Sequence, residues 1–297
     1  MMKRLNKILI LTVLCALVFS FSAFANGQQE SETQKNARLA YVNWAEGVAY
    51  THVAQVVLEE KMGYDVEITA ADAAPAYTSV AQGDNDVFME TWPVLHADYL
   101  DKYSDSLYDV GKIYEGTQVG LVVPQYMVDD GVKTISDLKK PEVKEKLRGE
   151  ITGIDSGAGM MQDIENEVMP GYGLNEAGYK LVASSGPAMT SALKNAVENN
   201  EYIVVAGWNP HWKFGVWDLA FLEQDGPQVW GIGNIHMYAN VNLKENKPEL
   251  AQFLENMYFT DEEMGSLLVA YKNADDPYTM AQKWVEENPS AWEDWLP

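Results

Sequence analysis

The chain has 297 residues, 47% of them hydrophobic, a single cysteine and a formal net charge of −23. That length holds one large domain or two lobes, and so acidic a chain makes nucleic acid and anionic membrane surfaces poor partners. Nine tryptophans and sixteen tyrosines help bring the aromatic share to 11%, a content that asks for a use beyond packing.

The first element is a leader. Lys3, Arg4 and Lys7 precede an apolar run from Ile8 to about Phe21, and Ala23-Phe24-Ala25 closes it. This order of basic, apolar and small residues predicts a secretory signal peptide over 1–25 and an exported, periplasmic protein. A retained membrane anchor is the alternative, but Ser20 and Ser22 interrupt the run. Cys15 lies inside the run behind Leu14, where a lipoprotein signal wants a small residue, so lipid anchoring there is disfavoured. Cleavage removes three basic residues and no acidic ones, taking the charge from −23 to −26. It also removes the cysteine, and with it any disulfide or thiolate metal site. Residues 26–36 are polar and predict a flexible leader.

Structured chain begins at Ala37. Residues 38–42 read as a strand, Asn43 as a candidate N-cap, and the stretch from Trp44 to Gly63 as an amphipathic helix closed by its glycine. A strand at 64–70, a helix from near Pro75 to Gly83 and a strand at 85–92 complete a β-α-β-α-β order, which argues for a parallel sheet. An apolar strand at 118–127 stops at Pro124. Ser136 is a candidate cap for a polar helix or helix pair over 136–149. The β-α-β-α-β order then returns: a strand at 149–155, a glycine turn and helix at 156–173, a strand at 179–185, a helix at 187–200 and a strand at 201–208. A short helix at 213–223, a strand at 235–243 and three C-terminal helices follow. The fold class this predicts is α/β with two lobes, each built on a parallel sheet. Residues 37–121 and 236–297 form the first lobe and 122–235 the second. Two crossings, near 119–124 and 235–241, leave a cleft between them.

Three tryptophans fall at strand ends facing that cleft: Trp44, Trp92 and Trp208. Three indoles from two lobes make a box for a cation that cannot donate hydrogen bonds, a quaternary ammonium. Each ring face contributes roughly 0.5–2 kcal/mol to a desolvated cation. The alternative for any one of them is ordinary core packing. The turn "GIDSGAGMM" offers backbone N–H groups at a helix start, an anion site by construction; the alternative is a tight turn without a ligand. Gln162 stands where a third glycine would be, so a dinucleotide site is unsupported. A cation box and an anion site across one cleft describe a zwitterion such as a betaine. His96 could donate to that anion or simply pack. Glu46 could favour a cation or merely stabilise the first turn of its helix. The four histidines lack metal spacing, and no metal or cofactor is expected. Trp284, Trp292 and Trp295 read as helix packing, as does Trp212. Signatures of common hydrolase, metalloprotease and nucleotide-binding sites are absent.

The stretches "YVNWAEGVAYTHVAQVVLEEKMGYDVEI", "GLVVPQYM", "GIDSGAGMM" and "AGWNPHW" resemble the glycine betaine/choline-binding proteins of ABC importers for osmoprotectants. The resemblance covers nearly all of the chain after residue 36. It implies a type II periplasmic-binding fold that closes over its ligand, with Trp44, Trp92 and Trp208 as the ammonium cage. It also implies that the ligand carboxylate meets the backbone N–H groups of Gly159 and Met160, with His96 assisting. "WPVLH" is one residue shorter than the spacing common in the family, and Leu121 stands where some members add an aromatic wall.

The expectation is a non-catalytic, monomeric receptor for a quaternary ammonium solute, with glycine betaine or proline betaine as ligand and a membrane permease as partner. Choline or carnitine is the alternative within the class. An enzyme acting on a methylated amine and a carbohydrate receptor with stacked tryptophans are the alternatives outside it.

Overall fold

The computed structural model describes residues 35–297. The expected signal peptide, Cys15 and nearly all of the 26–36 leader lie outside the described residues. No helix among the described residues is long and apolar enough to cross a membrane.

Among the described residues nine strands form one continuous sheet: β1 (Asn36–Tyr41), β2 (Asp65–Ala70), β3 (Val87–Thr91), β4 (Leu107–Pro124), β5 (Glu150–Thr152), β6 (Lys180–Val182), β7 (Val205–Asn209), β8 (Leu219–Phe221) and β9 (Ile232–Asn240). Their order is β2-β1-β3-β9-β4-β7-β5-β6, with β8 also on β4. The two ends are parallel, as the repeated β-α-β-α-β order predicts: β1 pairs β2 and β3, and β5 pairs β6 and β7. β4 joins them. It runs antiparallel to β9 from Leu107 to Gln118, then antiparallel to β7 from Gln118 to Val122. One strand therefore serves both ends of the sheet.

β3 is buried at all five positions, as befits a strand covered on both faces. The helix Ala45–Met62 is buried at every position from Ala45 to Ala54. A helix apolar nearly all round belongs in a core, and this one lies between the first sheet end and the C-terminal helices Asp261–Lys272 and Pro277–Glu287. It ends where the sequence predicts, at Gly63 in a left-handed conformation (φ 72°). Trp284, Trp292 and Trp295 are buried in the C-terminal packing, with Trp295 against Phe253 and Phe259.

Several local expectations are corrected. The residue preceding the first helix is Trp44, not Asn43, and it holds an extended backbone (φ −98°, ψ 150°) with no side-chain cap. Thr134, not Ser136, precedes the 3-10 turn Ile135–Lys139, and the Asp137 carboxylate accepts from its backbone N–H at 2.9 Å. A carboxylate three residues on wins over a hydroxyl placed inside the turn. The helix expected over 213–223 is only Lys213–Val216, because the next residues form β8 on the end of β4. β4 begins at Leu107, earlier than expected. Register shifts at 109–111, 112–114 and 115–117 break its alternation.

Candidate functional site

Trp44 follows β1, Trp92 follows β3, and Trp208 lies near the end of β7. All three are at least nine-tenths buried, at 6%, 5% and 4% exposure. They meet around one cavity of 20 Å³, also lined by Leu95, His96, Val119, Ile154, Ala158, Gly159 and Met160. The Trp44 and Trp208 rings lie 6.3 Å apart at 55°. The cavity therefore draws an indole from each end of the sheet, together with the start of a helix. A space of that size takes about one water, so a larger ligand needs the two ends to part. Val119, paired with Trp208 across the β4–β7 ladder, is among the lining residues. Leu121, two residues on, is fully buried and outside the lining.

Gly159 and Met160 open the short helix Gly159–Asp163, where backbone N–H groups have no partner within the helix. Gly159 is a glycine for a packing reason: a Cβ built there would lie 1.9 Å from the Leu95 carbonyl oxygen. The two ends of the sheet are thus nearly in backbone contact beside the cavity.

His96 is 1% exposed, and burial pushes it down to about 3, so it is neutral. The Trp92 backbone N–H donates to its Nδ1 at 3.3 Å, and the Tyr77 hydroxyl lies 3.0 Å from the same Nδ1 and 2.9 Å from the Thr91 hydroxyl. A neutral imidazole that accepts at Nδ1 carries its proton on Nε2. His96 can therefore act as a neutral donor.

Trp44 has a partner that sequence reasoning missed. Its Nε1 donates to Asp155 Oδ2 at 3.0 Å, across 111 residues. Burial raises the Asp155 carboxyl above its ordinary value, and the Trp44 N–H works against that. The indole N–H group of Trp92 has no hydrogen-bond partner, while the Trp208 indole neighbours the Glu46 carboxyl.

Glu46, Glu90 and Lys213 are all 0% exposed. Lys213 donates from Nζ to the Trp208 carbonyl at 3.0 Å, and Nζ lies 4.2 Å from the Trp208 ring centroid. Glu46 is thus no solvated first-turn charge. Burial pushes it up to about 7, against the pull of the neighbouring Trp208 indole and of Lys213. Burial and the Glu46 charge hold Glu90 well above the carboxylate range. Burial draws Lys213 down to about 7, with Glu46 opposing. A glutamate inside an otherwise apolar strand, "VFMET", was the one available sign of Glu90. Nothing in "HWKFG" marks Lys213 as buried.

The other histidines stand apart from the cavity. His52 bonds its own helix at Val48, and His236 pairs with Asp109. Trp212 with His211 lines a second cavity, of 290 Å³. Among the described residues no group of His, Cys, Asp and Glu could hold a metal ion. Around one apolar space the structure gathers three indoles, the first two residues of a helix and one neutral imidazole. That is the chemistry of holding a bulky cation tied to a small anion.

The profile of one protein family matches residues 35–287; its description is the substrate-binding domain of the ABC-type glycine betaine transport system. A glycine betaine/carnitine transport binding protein, GbuC of Listeria monocytogenes, is 39% identical over 157 residues, 52% of this chain and 52% of that protein. The match thus spans about half the length of that relative. Lactococcal OpuAC, solved closed with glycine betaine, is similar at 32% identity and a TM-score of 0.80, covering 89% of this chain and all of that one. The glycine/betaine/L-proline-binding protein ProX of Borrelia burgdorferi is similar at 32% identity and a TM-score of 0.81, covering 89% and 97%.

Proposed function

Because the chain belongs to the family of substrate-binding domains of ABC-type glycine betaine transport systems, we propose that it is an exported receptor that captures a quaternary ammonium solute and hands it to a membrane permease. Glycine betaine is the ligand that suits the site best, and proline betaine shares its chemistry. The fold is the two-lobed periplasmic-binding type of its structural relatives. The division we propose is 37–121 with 236–297 as one lobe and 122–235 as the other. Closure and opening between them then admit and release the ligand, with β4 and β9 as the crossings. The receptor works as a monomer and does not turn its ligand over.

One observation carries this reading. Trp44, Trp92 and Trp208 line a single cavity together with Gly159, Met160 and the neutral His96. The indole faces take the trimethylammonium group, which has no N–H to satisfy and is cheaper to desolvate than an ammonium. The N–H groups of Gly159 and Met160 and the His96 Nε2–H take the carboxylate. Those donors favour a betaine over choline, which has no carboxylate to receive them.

Titration calorimetry with glycine betaine, proline betaine, choline and carnitine tests the reading. Saturable binding of a betaine at one site per chain is expected. Binding by none of the four contradicts it, and binding of a sugar instead would move the protein to another ligand class.

A further inference from the structure

Trp92 borders two cavities. One is the 20 Å³ space that it shares with Trp44 and Trp208; the other has 280 Å³. Trp92, Leu95 and Val119 line both, whereas Gly159, Met160 and His96 line only the smaller of the two. The indole N–H of Trp92 is buried and has no partner.

A second indole, that of Trp230, lines the larger cavity, and it is held firmly. Its Nε1 donates to Asp163 Oδ2 at 2.9 Å. The Gln224 side chain clamps the backbone beside it. Gln224 Oε1 accepts from the N–H groups of Val229 and Trp230 at 2.8 and 3.0 Å, and Nε2 donates to the Trp230 carbonyl at 2.8 Å. Side-chain amide and carboxylate are thus spent on fixing one ring at a cavity. The two most exposed large hydrophobic side chains among the described residues, Val94 at 77% and Ile232 at 75%, line the same cavity. Apolar side chains gathered in water around a concave space mark a place that a ligand covers.

We propose that the larger cavity is a subsite of the same receptor and admits betaines that carry one bulky apolar substituent on the quaternary nitrogen, seated against Trp230 and Ile232. The subsite rests on the receptor reading above, because that reading places the ammonium at Trp92.

The shared lining fixes which end of the ligand can grow. The two cavities meet at Trp92, an ammonium wall in that reading, and not at the residues that take the carboxylate. A group extended from the nitrogen past Trp92 enters the larger space, and one attached at the carboxylate end does not. Volume fixes what fits: an apolar cavity of about 150 Å³ takes a benzene ring, so 280 Å³ takes a benzyl group. None of the lining residues is charged, so a charged extension loses its hydration there without gaining a partner. Each methylene moved out of water tightens binding by up to about fourfold, which offsets the cost of ordering the substituent.

The test is titration calorimetry with glycine betaine and with its analogue in which one N-methyl is replaced by 4-bromobenzyl. The wild-type chain is expected to bind the analogue within about threefold of glycine betaine, or more tightly. Weaker binding than that overturns the proposal. Trp230→Ala is expected to weaken the analogue by about tenfold or more and to leave glycine betaine within about twofold. A merely structural role for Trp230 predicts equal losses for both ligands, and that result overturns the proposal too. In crystals of the wild-type chain with the analogue, anomalous scattering from bromine locates the substituent whether or not the variant folds. Bromine beside Trp230 and Ile232 is expected; bromine anywhere else overturns the subsite. Binding of glycine betaine with rejection of the analogue removes only the subsite, whereas binding of no quaternary ammonium ligand removes the receptor reading itself.

Discussion

The Trp44 indole donates to the Asp155 carboxylate at 3.0 Å, joining the residue after β1 to the loop after β5. One of the tryptophans lining the cavity is thereby tied to the turn that carries Gly159 and Met160. A hydrogen bond to a carboxylate contributes more than a neutral one. Asp155→Ala is expected to weaken betaine binding roughly tenfold, about 1.4 kcal/mol, chiefly by faster dissociation. Unchanged affinity and dissociation rate, from calorimetry and stopped-flow fluorescence, would show that the link does not act in closure.

Trp208→Ala is expected to weaken glycine betaine binding at least tenfold, about 1.4 kcal/mol, because it removes a cage face. Trp212→Ala is the control, since Trp212 lines the other cavity with His211, and its affinity should stay near wild type. Near-native affinity in a folded Trp208→Ala would refute the cage role of that indole.

Gly159→Ala places a Cβ 1.9 Å from the Leu95 carbonyl oxygen. Backbone cannot yield as a flexible side chain does, so the two ends of the sheet must stand further apart. The expected outcome is at least a tenfold loss of affinity with the fold retained, seen as a ligand-induced compaction in solution scattering that the variant fails to make. Full compaction with normal affinity would disprove the close approach.

His96 carries a stability signature in its pH dependence. Its folded value, about 3, lies below the ordinary 6.5 because the ring is buried. Below pH 6.5 the unfolded chain takes up a proton there that the folded chain refuses, so stability falls as the pH falls from 6.5 towards 3. The loss is on the order of 2 kcal/mol by pH 5. His96→Gln should flatten this limb of the Tm-against-pH curve. An equally steep limb in the variant would contradict a buried neutral His96.

Much of the scaffold is readable from periodicity. The two β-α-β-α-β runs and the Gly63 terminus follow from apolar spacing and from glycine in a left-handed cap, whereas the first helix, expected to be amphipathic, is buried nearly all round. Asn43 and Ser136 mislead because a good capping residue at the wrong offset looks the same as one in place. β4 is hidden upstream of residue 118 because its register shifts scramble the period of two.

The meeting of three tryptophans at one cavity is legible for a different reason. Trp44, Trp92 and Trp208 stand at repeated positions in a repeated order, and position relative to a strand end is a property of the sequence. Asp155, Glu90 and Lys213 are not legible, because their setting comes from partners far along the chain: 111 residues in one case, and in the others a burial that only the folded chain creates. A lysine after a histidine and a tryptophan reads as surface until the fold buries it.

The most direct measurement is a crystal structure of the protein grown with glycine betaine. The trimethylammonium group is predicted within about 6 Å of the ring centroids of Trp44, Trp92 and Trp208. The carboxylate is predicted within hydrogen-bond distance of the Gly159 and Met160 N–H groups and the His96 Nε2. A ligand seated in another cavity, or one that turns its carboxylate towards the three indoles, would contradict the account.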